Sequence, residues 1–150
     1  MNVQIVRANP EMALEILQNL RGDQLEYVSD KTSLSAEMGE KIAVSTHCFV
    51  GMADGKIAVI WGVLTPSITS GVGIVWAMTT KVTDEHPFVF VRHSRIAMEQ
   101  IRKDYSELVA YVAADYKRSI RWLRWLGFEV SAPRDFHGMK ARVAKMKGMI

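Results

Sequence analysis

Apolar positions recur along the chain with two different periods, and these periods predict both strands and helices. Short apolar runs rich in Val, Ile and aromatic residues predict strands at 3–8, 48–52, 57–64, 72–80, 108–112, 128–130 and 136–147. Apolar residues at helical spacing predict helices at 10–21, 35–46, 88–104 and 115–126, and a short helical piece at 23–29. This order of elements predicts an α/β (α+β) chain whose mixed sheet is flanked by helices.

The stretch from 108 to 130 carries the clearest local signals and predicts a strand, a helix and a second strand. Asp115 is the predicted N-cap of the helix, because a short acceptor side chain can bind the first free amides. Ile120, Leu123 and Leu126 recur on one face at helical spacing. Gly127 is predicted to end the helix in the left-handed conformation that glycine adopts without steric cost.

This stretch resembles the closing half of the GCN5-related N-acetyltransferase (GNAT) fold. The matching residues are Ser119-Ile120-Arg121, Leu123 and Leu126-Gly127-Phe128. The predicted elements follow the same order along almost the whole chain, and the resemblance is closest to small acetyltransferase-like proteins of tailed phages, including the internal virion protein A group. It implies a mostly antiparallel, seven-stranded sheet with helices on both faces. In that family the sheet is splayed between its fourth and fifth strands, where acyl-coenzyme A lies.

Composition limits the classes of protein that remain. A length of 150 residues with 49% hydrophobic and 23% charged residues indicates a single globular domain spanning 1–150. The net charge of +3 is too small to diagnose a nucleic-acid binder, and one cysteine, Cys48, excludes an internal disulfide framework. Scattered histidines predict no metal site. Without a long apolar run or an apparent signal peptide, the expected location is cytoplasmic, which also fits a packaged virion protein.

The resemblance also implies a donor site for acetyl-coenzyme A. Backbone N–H groups of Met78, Thr79 and Thr80 would polarise the thioester carbonyl. Arg92 and His93 would contact the phosphates near the start of the helix at 88–104. Tyr116 and Ser119 would contact the thiol end of the cofactor or its pantetheine arm.

Several positions depart from the pattern of that family. Residues 79–93 contain no glycine, whereas family members carry a glycine-rich loop whose amides hold the pyrophosphate. Pro87 lacks an N–H donor, and Asp84 and Glu85 add negative charge to the same segment. Leu123 stands where the family often has a tyrosine that acts as general acid. The catalytic residues are therefore unknown, and the acidic candidates for a general base are Glu26, Asp30, Asp84 and Glu85.

Three functions remain open at the level of sequence. The first is an N-acyltransferase that acts on an amine acceptor. The second is a non-catalytic protein of a phage particle, or one that binds a host protein, which retains the fold. The third is a nucleic-acid binder that uses a late basic and aromatic helix face, formed by Arg118, Arg121, Trp122, Arg124 and Trp125.

Overall fold

The computed structural model describes residues 2–22 and 34–150 of the chain. The predicted short helix at 23–29 and the predicted loop at 30–33 lie outside the described residues. The chain divides into two compact units. Unit 1 comprises Met1–Leu64 and Trp76–Val91, and unit 2 comprises Thr65–Val75 and Arg92–Ile150.

The described residues form the mixture of strands and helices that the sequence predicts. The strands are β1 (Val3–Arg7), β2 (His47–Ala53), β3 (Lys56–Leu64), β4 (Val72–Thr79), β5 (Glu107–Ala113), β6 (Glu129–Val130), β7 (Arg134–Phe136) and β8 (Met139–Lys147). The helices are α1 (Ala13–Gln18), α2 (Leu34–Val44), α3 (Val82–Glu85), α4 (Pro87–Arg102) and α5 (Lys117–Leu126), with a single 3-10 turn at Pro10–Met12 before α1.

Unit 1 is built on strands β1, β2 and β3, which pair in that order and antiparallel, and on the end of β4, which neighbours β3. A two-residue turn joins β2 to β3, with positive φ angles of 51° at Asp54 and 79° at Gly55. This turn confirms the hairpin that Asp-Gly predicts. The core includes Ile16, Val50 and Ile60, each with no exposed surface.

Unit 2 contains the start of β4 and strands β5 to β8. Strand β4 runs parallel to β5 over only three pairs, Val72–Ile74 with Glu107–Val109, and both strands continue beyond the last pair. Strand β5 pairs antiparallel with β8 along seven positions, and β8 also pairs antiparallel with β6 and β7. The mostly antiparallel pairing confirms the predicted fold class.

The described part of the chain has eight strands rather than the predicted seven. The additional strand is β7: Arg134 and Asp135 fall in a loop that the sequence predicts over 131–135, and Phe136 falls at the start of the strand predicted over 136–147. His137 and Gly138 adopt φ angles of 51° and 85°, which makes a tight turn and folds β7 back onto β8. The segment predicted as one strand at 136–147 therefore contains the last residue of β7, the turn and the whole of β8.

Helix α5 confirms one predicted cap and corrects the other. Gly127 has a φ angle of 110°, and the amide of Phe128 donates to the Leu123 carbonyl at 3.0 Å, as a left-handed C-cap requires. The N-cap is Tyr116 rather than Asp115, and no side chain caps the helix there. The prediction for Asp115 was therefore wrong by one residue.

Helix α4 is less buried than its apolar pattern predicts. The pattern predicts apolar contacts for Phe88, Val91, Ile96, Met98 and Ile101. Met98 and Ile101 are buried as expected, but Phe88 is 86% exposed and Ile96 is 52% exposed. The predicted apolar contacts of Phe88 and Ile96 were therefore wrong. The periodic pattern counts apolar residues but does not show which side of a helix the rest of the chain covers.

Candidate functional site

The end of β4, where the sequence places three donor-binding residues, is a tightly bonded corner of unit 1. Thr80 has no exposed surface. Its Oγ1 donates to the carbonyl of Ile57 at 2.6 Å, and its amide donates to the carbonyl of Ala58 at 2.9 Å. Met78 and Thr79 precede it and are half-buried. Thr80 therefore ties the end of β4 to β3, and its amide is engaged within the fold.

The residues that follow α1 close on the same corner. The amide of Arg21 donates to the carbonyl of Thr79 at 3.3 Å, and the amide of Lys81 donates to the carbonyl of Asn19 at 2.9 Å. The Arg21 side chain is only 9% exposed, and its Nε lies 3.3 Å from Oδ1 of Asp84. A buried guanidinium therefore lies beneath the segment where the resemblance places phosphates. The local sequence pattern does not predict this burial, because it indicates Arg21 only as the end of a helix.

The segment that follows β4 satisfies its own amides. The amide of Val82 donates to Oγ1 of Thr80 at 3.2 Å, and the amide of Thr83 donates to the carbonyl of Thr80 at 3.2 Å. The amides of Asp84 and His86 donate to carbonyls one turn earlier, at 3.1 and 3.3 Å. These bonds close the single turn of α3. A phosphate cradle needs amides that point outward, so this turn does not provide the cradle seen in glycine-rich loops.

A surface cavity of about 290 Å³ lies beside Met78 in unit 1. Helix α2, the end of β3 and β4 line it with two carboxylates, one ammonium group and four apolar side chains: Glu37, Met38, Glu40, Lys41, Val44, Leu64 and Met78. This volume is near the lower limit of ligand pockets, which hold roughly 300–1,000 Å³. The cavity therefore suits a small ligand that carries both charge and apolar surface.

The indole of Trp76 anchors Lys41 at this cavity. Trp76 is 9% exposed, and its Nε1 donates to Oγ of Ser45 at 2.9 Å. The Nζ of Lys41 lies 5.2 Å from the centre of the indole ring, within range of a cation–π interaction. Burial lowers the pKa of Lys41, and the carboxylate of Glu37 opposes this with a smaller effect in the raising direction. The helical pattern over 35–46 predicts Glu37, Glu40 and Lys41 as outward-facing charges, and it does not indicate this contact.

The other four predicted donor-binding residues lie in unit 2. On α4, Arg92 is exposed and His93 is half-buried. Tyr116 caps α5, where its carbonyl accepts from the amide of Ile120 at 3.1 Å, and Ser119 is half-buried in the first turn. Met78, Thr79 and Thr80 thus belong to unit 1, and these four residues belong to unit 2. The donor-binding roles of all seven residues stay predictions.

The remaining candidate groups are distributed as follows. Glu26 and Asp30 lie outside the described residues. Asp84 pairs with Arg21, and Glu85 is exposed. Leu123 is buried at 7% exposure, and its side chain offers no proton donor.

Among residues 2–22 and 34–150, no group of three or more His, Cys, Asp or Glu side chains could hold a metal ion. None of the helices in this described part is long and apolar enough to cross a membrane.

Both tryptophans of the late basic and aromatic helix face make contacts within unit 2. The guanidinium of Arg95 lies 4.1 Å from the centre of the Trp125 ring and donates to the Trp125 carbonyl at 3.1 Å. Trp122 is half-buried and donates through Nε1 to Oγ of Ser94 at 3.1 Å. These two contacts link α5 to α4. They account for both tryptophans without a nucleic-acid ligand.

Solved structures give the comparison that decides the fold. The chain superimposes on a GNAT-family acetyltransferase from Streptococcus pneumoniae with a TM-score of 0.68 at 14% identity, covering 99% of this chain and 100% of that one. The chain has the GNAT fold. It also matches an N-acetyltransferase from Staphylococcus aureus with a TM-score of 0.70 at 15% identity, covering 98% and 99% of the two chains.

A third neighbour is the aminoglycoside acetyltransferase AAC(6')-Ib in complex with coenzyme A. Its TM-score is 0.73 at 13% identity, and the match covers 97% of this chain and 95% of that one. No protein-family model and no curated protein sequence matches the chain. The GNAT resemblance of residues 108–130 is therefore confirmed for the fold. The narrower resemblance to phage proteins receives no support from these comparisons.

Proposed function

We propose that this protein transfers an acyl group from acyl-coenzyme A to the nitrogen of a small amine, with acetyl-coenzyme A as the donor. The observation that carries the proposal is the cavity beside Met78, which holds two carboxylates and lies next to the predicted position of the thioester. The neighbours of the same fold include an acetyltransferase solved with coenzyme A, which supports the choice of donor.

The residues of the cavity give the acceptor amine a defined environment. Glu37 and Glu40 attract a protonated amine, and a carboxylate that contacts the nitrogen can take its proton before attack. Met38, Val44 and Leu64 provide apolar surface for the rest of a small acceptor. The neutral nitrogen then attacks the thioester carbonyl directly, and the sulfur leaves with the electron pair of the broken C–S bond.

Some of the backbone amides predicted to contact the donor are already hydrogen-bonded within the protein. The amide of Thr80 donates to the carbonyl of Ala58, and Met78 and Thr79 stay predicted contacts of the thioester carbonyl. Since the amides of the α3 turn are engaged within the protein, the phosphates are assigned to side chains, for which Arg92 and His93 are the predicted residues. Tyr116 and Ser119 stay predicted contacts of the pantetheine arm.

Calorimetric titration with acetyl-coenzyme A tests donor binding. We expect saturable binding by the wild type and weaker binding by Arg92→Ala, because the variant loses a charge-assisted phosphate contact. Arg134→Ala is the matched control, since Arg134 is an exposed arginine of β7 that no part of the proposal uses. No saturable heat at millimolar acetyl-coenzyme A would show that the proposed function is wrong.

Release of the coenzyme A thiol in the presence of a panel of small amines tests the acceptor cavity. We expect the double variant Glu37→Gln, Glu40→Gln to lower kcat/KM by about 10²–10⁴-fold, the range typical for loss of a general base. The double variant Glu11→Gln, Glu15→Gln removes the same charge from exposed positions at α1 and should retain wild-type kcat/KM. Equal losses in both double variants would exclude a specific role for the cavity.

A further inference from the structure

Lys41 is a nucleophilic group that the proposed transfer does not use. Its side chain lines the same cavity as Met78, and its Nζ lies over the indole of Trp76 at 5.2 Å from the ring centre. Trp76 is itself buried and bonded to Ser45, so packing and a hydrogen bond hold the ring beneath the amine. The cavity therefore holds an amine of the protein beside the place proposed for the thioester.

The environment of this amine favours its reactive form. A lysine must lose a proton before it can act as a nucleophile, and a partly desolvated site makes that loss easier. Burial lowers the pKa of Lys41, as this requires, although Glu37 works in the opposite direction with a smaller effect. By contrast, Lys56 at the start of β3 and Lys117 at the start of α5 are exposed lysines of the same chain.

We propose that Lys41 is an internal acyl acceptor, modified at Nζ by the acetyl-coenzyme A that binds beside Met78. The inference rests on the proposed function, because it takes its donor from that site. The neutral Nζ attacks the carbonyl carbon, a C–N bond forms and the C–S bond breaks. The electron pair of the C–S bond leaves with the sulfur, and the proton lost by the nitrogen ends on the thiol of free coenzyme A.

The modification changes the cavity in two ways. It removes the positive charge of Lys41 and with it the cation–π interaction with Trp76. It also places an acetyl group in a cavity of about 290 Å³, which reduces the room for an acceptor. The acylated protein should therefore transfer acyl groups to added amines more slowly, so that the modification limits the activity of the site.

Mass spectrometry of tryptic peptides after incubation with isotope-labelled acetyl-coenzyme A tests the inference. Because a bound donor is held close to its acceptor, we expect Lys41 to be labelled at least about tenfold faster than Lys56 and Lys117. The same measurement in urea should bring the three rates together, and an excess of coenzyme A should suppress the labelling of Lys41 in the folded protein. Lys41→Arg keeps the charge and should lose the label at this position.

The outcomes separate this inference from the proposed function. If acetyl-coenzyme A binds and small amines are acylated but Lys41 reacts no faster than Lys56, the inference is overturned and the proposed function stands. If labelling of Lys41 is fast and excess coenzyme A does not suppress it, the donor reacts from solution and the inference also fails. If no acetyl-coenzyme A binds and no label appears, both proposals fail together.

Discussion

Gly62 in β3 is the position where one added methyl group should do most damage to unit 1. A Cβ built at this residue would lie 2.6 Å from Nε1 and 2.7 Å from Cε2 of Trp76. Carbon atoms in contact lie about 3.5–4.0 Å apart, so Gly62→Ala requires the indole to move by about 1 Å. Trp76 is 9% exposed and bonded to Ser45 at 2.9 Å, so this movement disturbs a packed and hydrogen-bonded ring.

Two contributions set the expected loss of stability. Overpacking a core by one methyl group costs about 1–3 kcal/mol. Loss of the bond between Nε1 and Ser45 adds about 1 kcal/mol. We therefore expect Gly62→Ala to lower the free energy of unfolding by about 2–4 kcal/mol.

Gly39 provides a matched control within the same unit. It lies inside α2, and the nearest atom to its built Cβ is Cβ of Pro10 at an ordinary contact distance of 3.9 Å. Alanine is favoured over glycine in a helix interior by about 0.5–1 kcal/mol, so Gly39→Ala should raise the free energy of unfolding. Glycine to alanine is thus expected to lower the free energy of unfolding at position 62 and to raise it at position 39.

Urea denaturation followed by circular dichroism measures both variants. A double-mutant cycle with Trp76→Leu isolates the contact, because the cost of Gly62→Ala should fall when the indole is absent. A change of less than about 0.5 kcal/mol for Gly62→Ala would place it in the range of neutral surface substitutions and refute the reasoning. An equal cost with and without Trp76 would show that some other contact is responsible.

Three further changes test the corner and the buried thiol by urea denaturation. Thr80→Val removes a buried hydroxyl that bonds at 2.6 Å, and we expect a loss of about 1–3 kcal/mol. Asp84→Ala removes the ion-pair partner of Arg21, and we expect about 1–2 kcal/mol, less than for a fully buried pair because the Asp84 side chain is 50% exposed. Burial raises the pKa of Cys48 from 9.0 to about 11, so its contribution to stability is present below pH 9 and is lost as pH rises toward 11. Between pH 8 and pH 10, Cys48→Ala should therefore lose less stability than the wild type.

Controls for these changes are available in the same chain. Thr69→Val alters an exposed hydroxyl of the loop before β4 and should cost less than about 0.5 kcal/mol. Glu99→Ala removes an exposed ion pair with Arg102 at 2.9 Å and should cost equally little. Losses at Thr80 and Asp84 no larger than these would contradict the view that the corner depends on buried polar contacts. An unchanged pH slope in Cys48→Ala would contradict the assignment to the thiol.

Local sequence patterns predicted two turns of the backbone and one buried helix face. Asp54-Gly55 predicted a tight turn, and Gly127 predicted the end of α5, because positive φ angles restrict the residue types at those positions. The buried face of α5 followed equally from the spacing of Ile120, Leu123 and Leu126. The resemblance of this stretch to the GNAT fold was confirmed by solved structures over 97–99% of the chain.

Contacts between distant residues were the part that the sequence could not supply. Lys41 has the pattern of a solvated helix charge, and only the fold brings it over Trp76, which lies on β4. Arg21 likewise reads as the polar end of a helix, and only the fold buries it beside Asp84. Such residues gain their properties from partners more than thirty positions away, which no local pattern contains.

In the segment after β4, the residue types and the hydrogen bonds both indicate that the backbone amides do not form a phosphate cradle. The lack of glycine between 79 and 93 predicted that these amides would not cradle a pyrophosphate. The amides of Val82, Thr83 and Asp84 instead close a helical turn over a buried arginine. Opening this turn to bind phosphate would break hydrogen bonds that stabilise the corner of unit 1. The proposed function therefore assigns the donor phosphates to side chains and not to this backbone.

The indole of Trp76 connects the stability of unit 1 to the chemistry proposed for its cavity. One edge of the ring closely approaches Gly62, its Nε1 is bonded to Ser45, and Nζ of Lys41 lies over its face. Position 62 can therefore influence the cavity without lining it, because a displaced ring changes the surface on which the amine rests. A residue at position 62 is then constrained both by packing and by the placement of a reactive group. This is a physical reason for a glycine in the middle of a strand, where glycine otherwise weakens the structure.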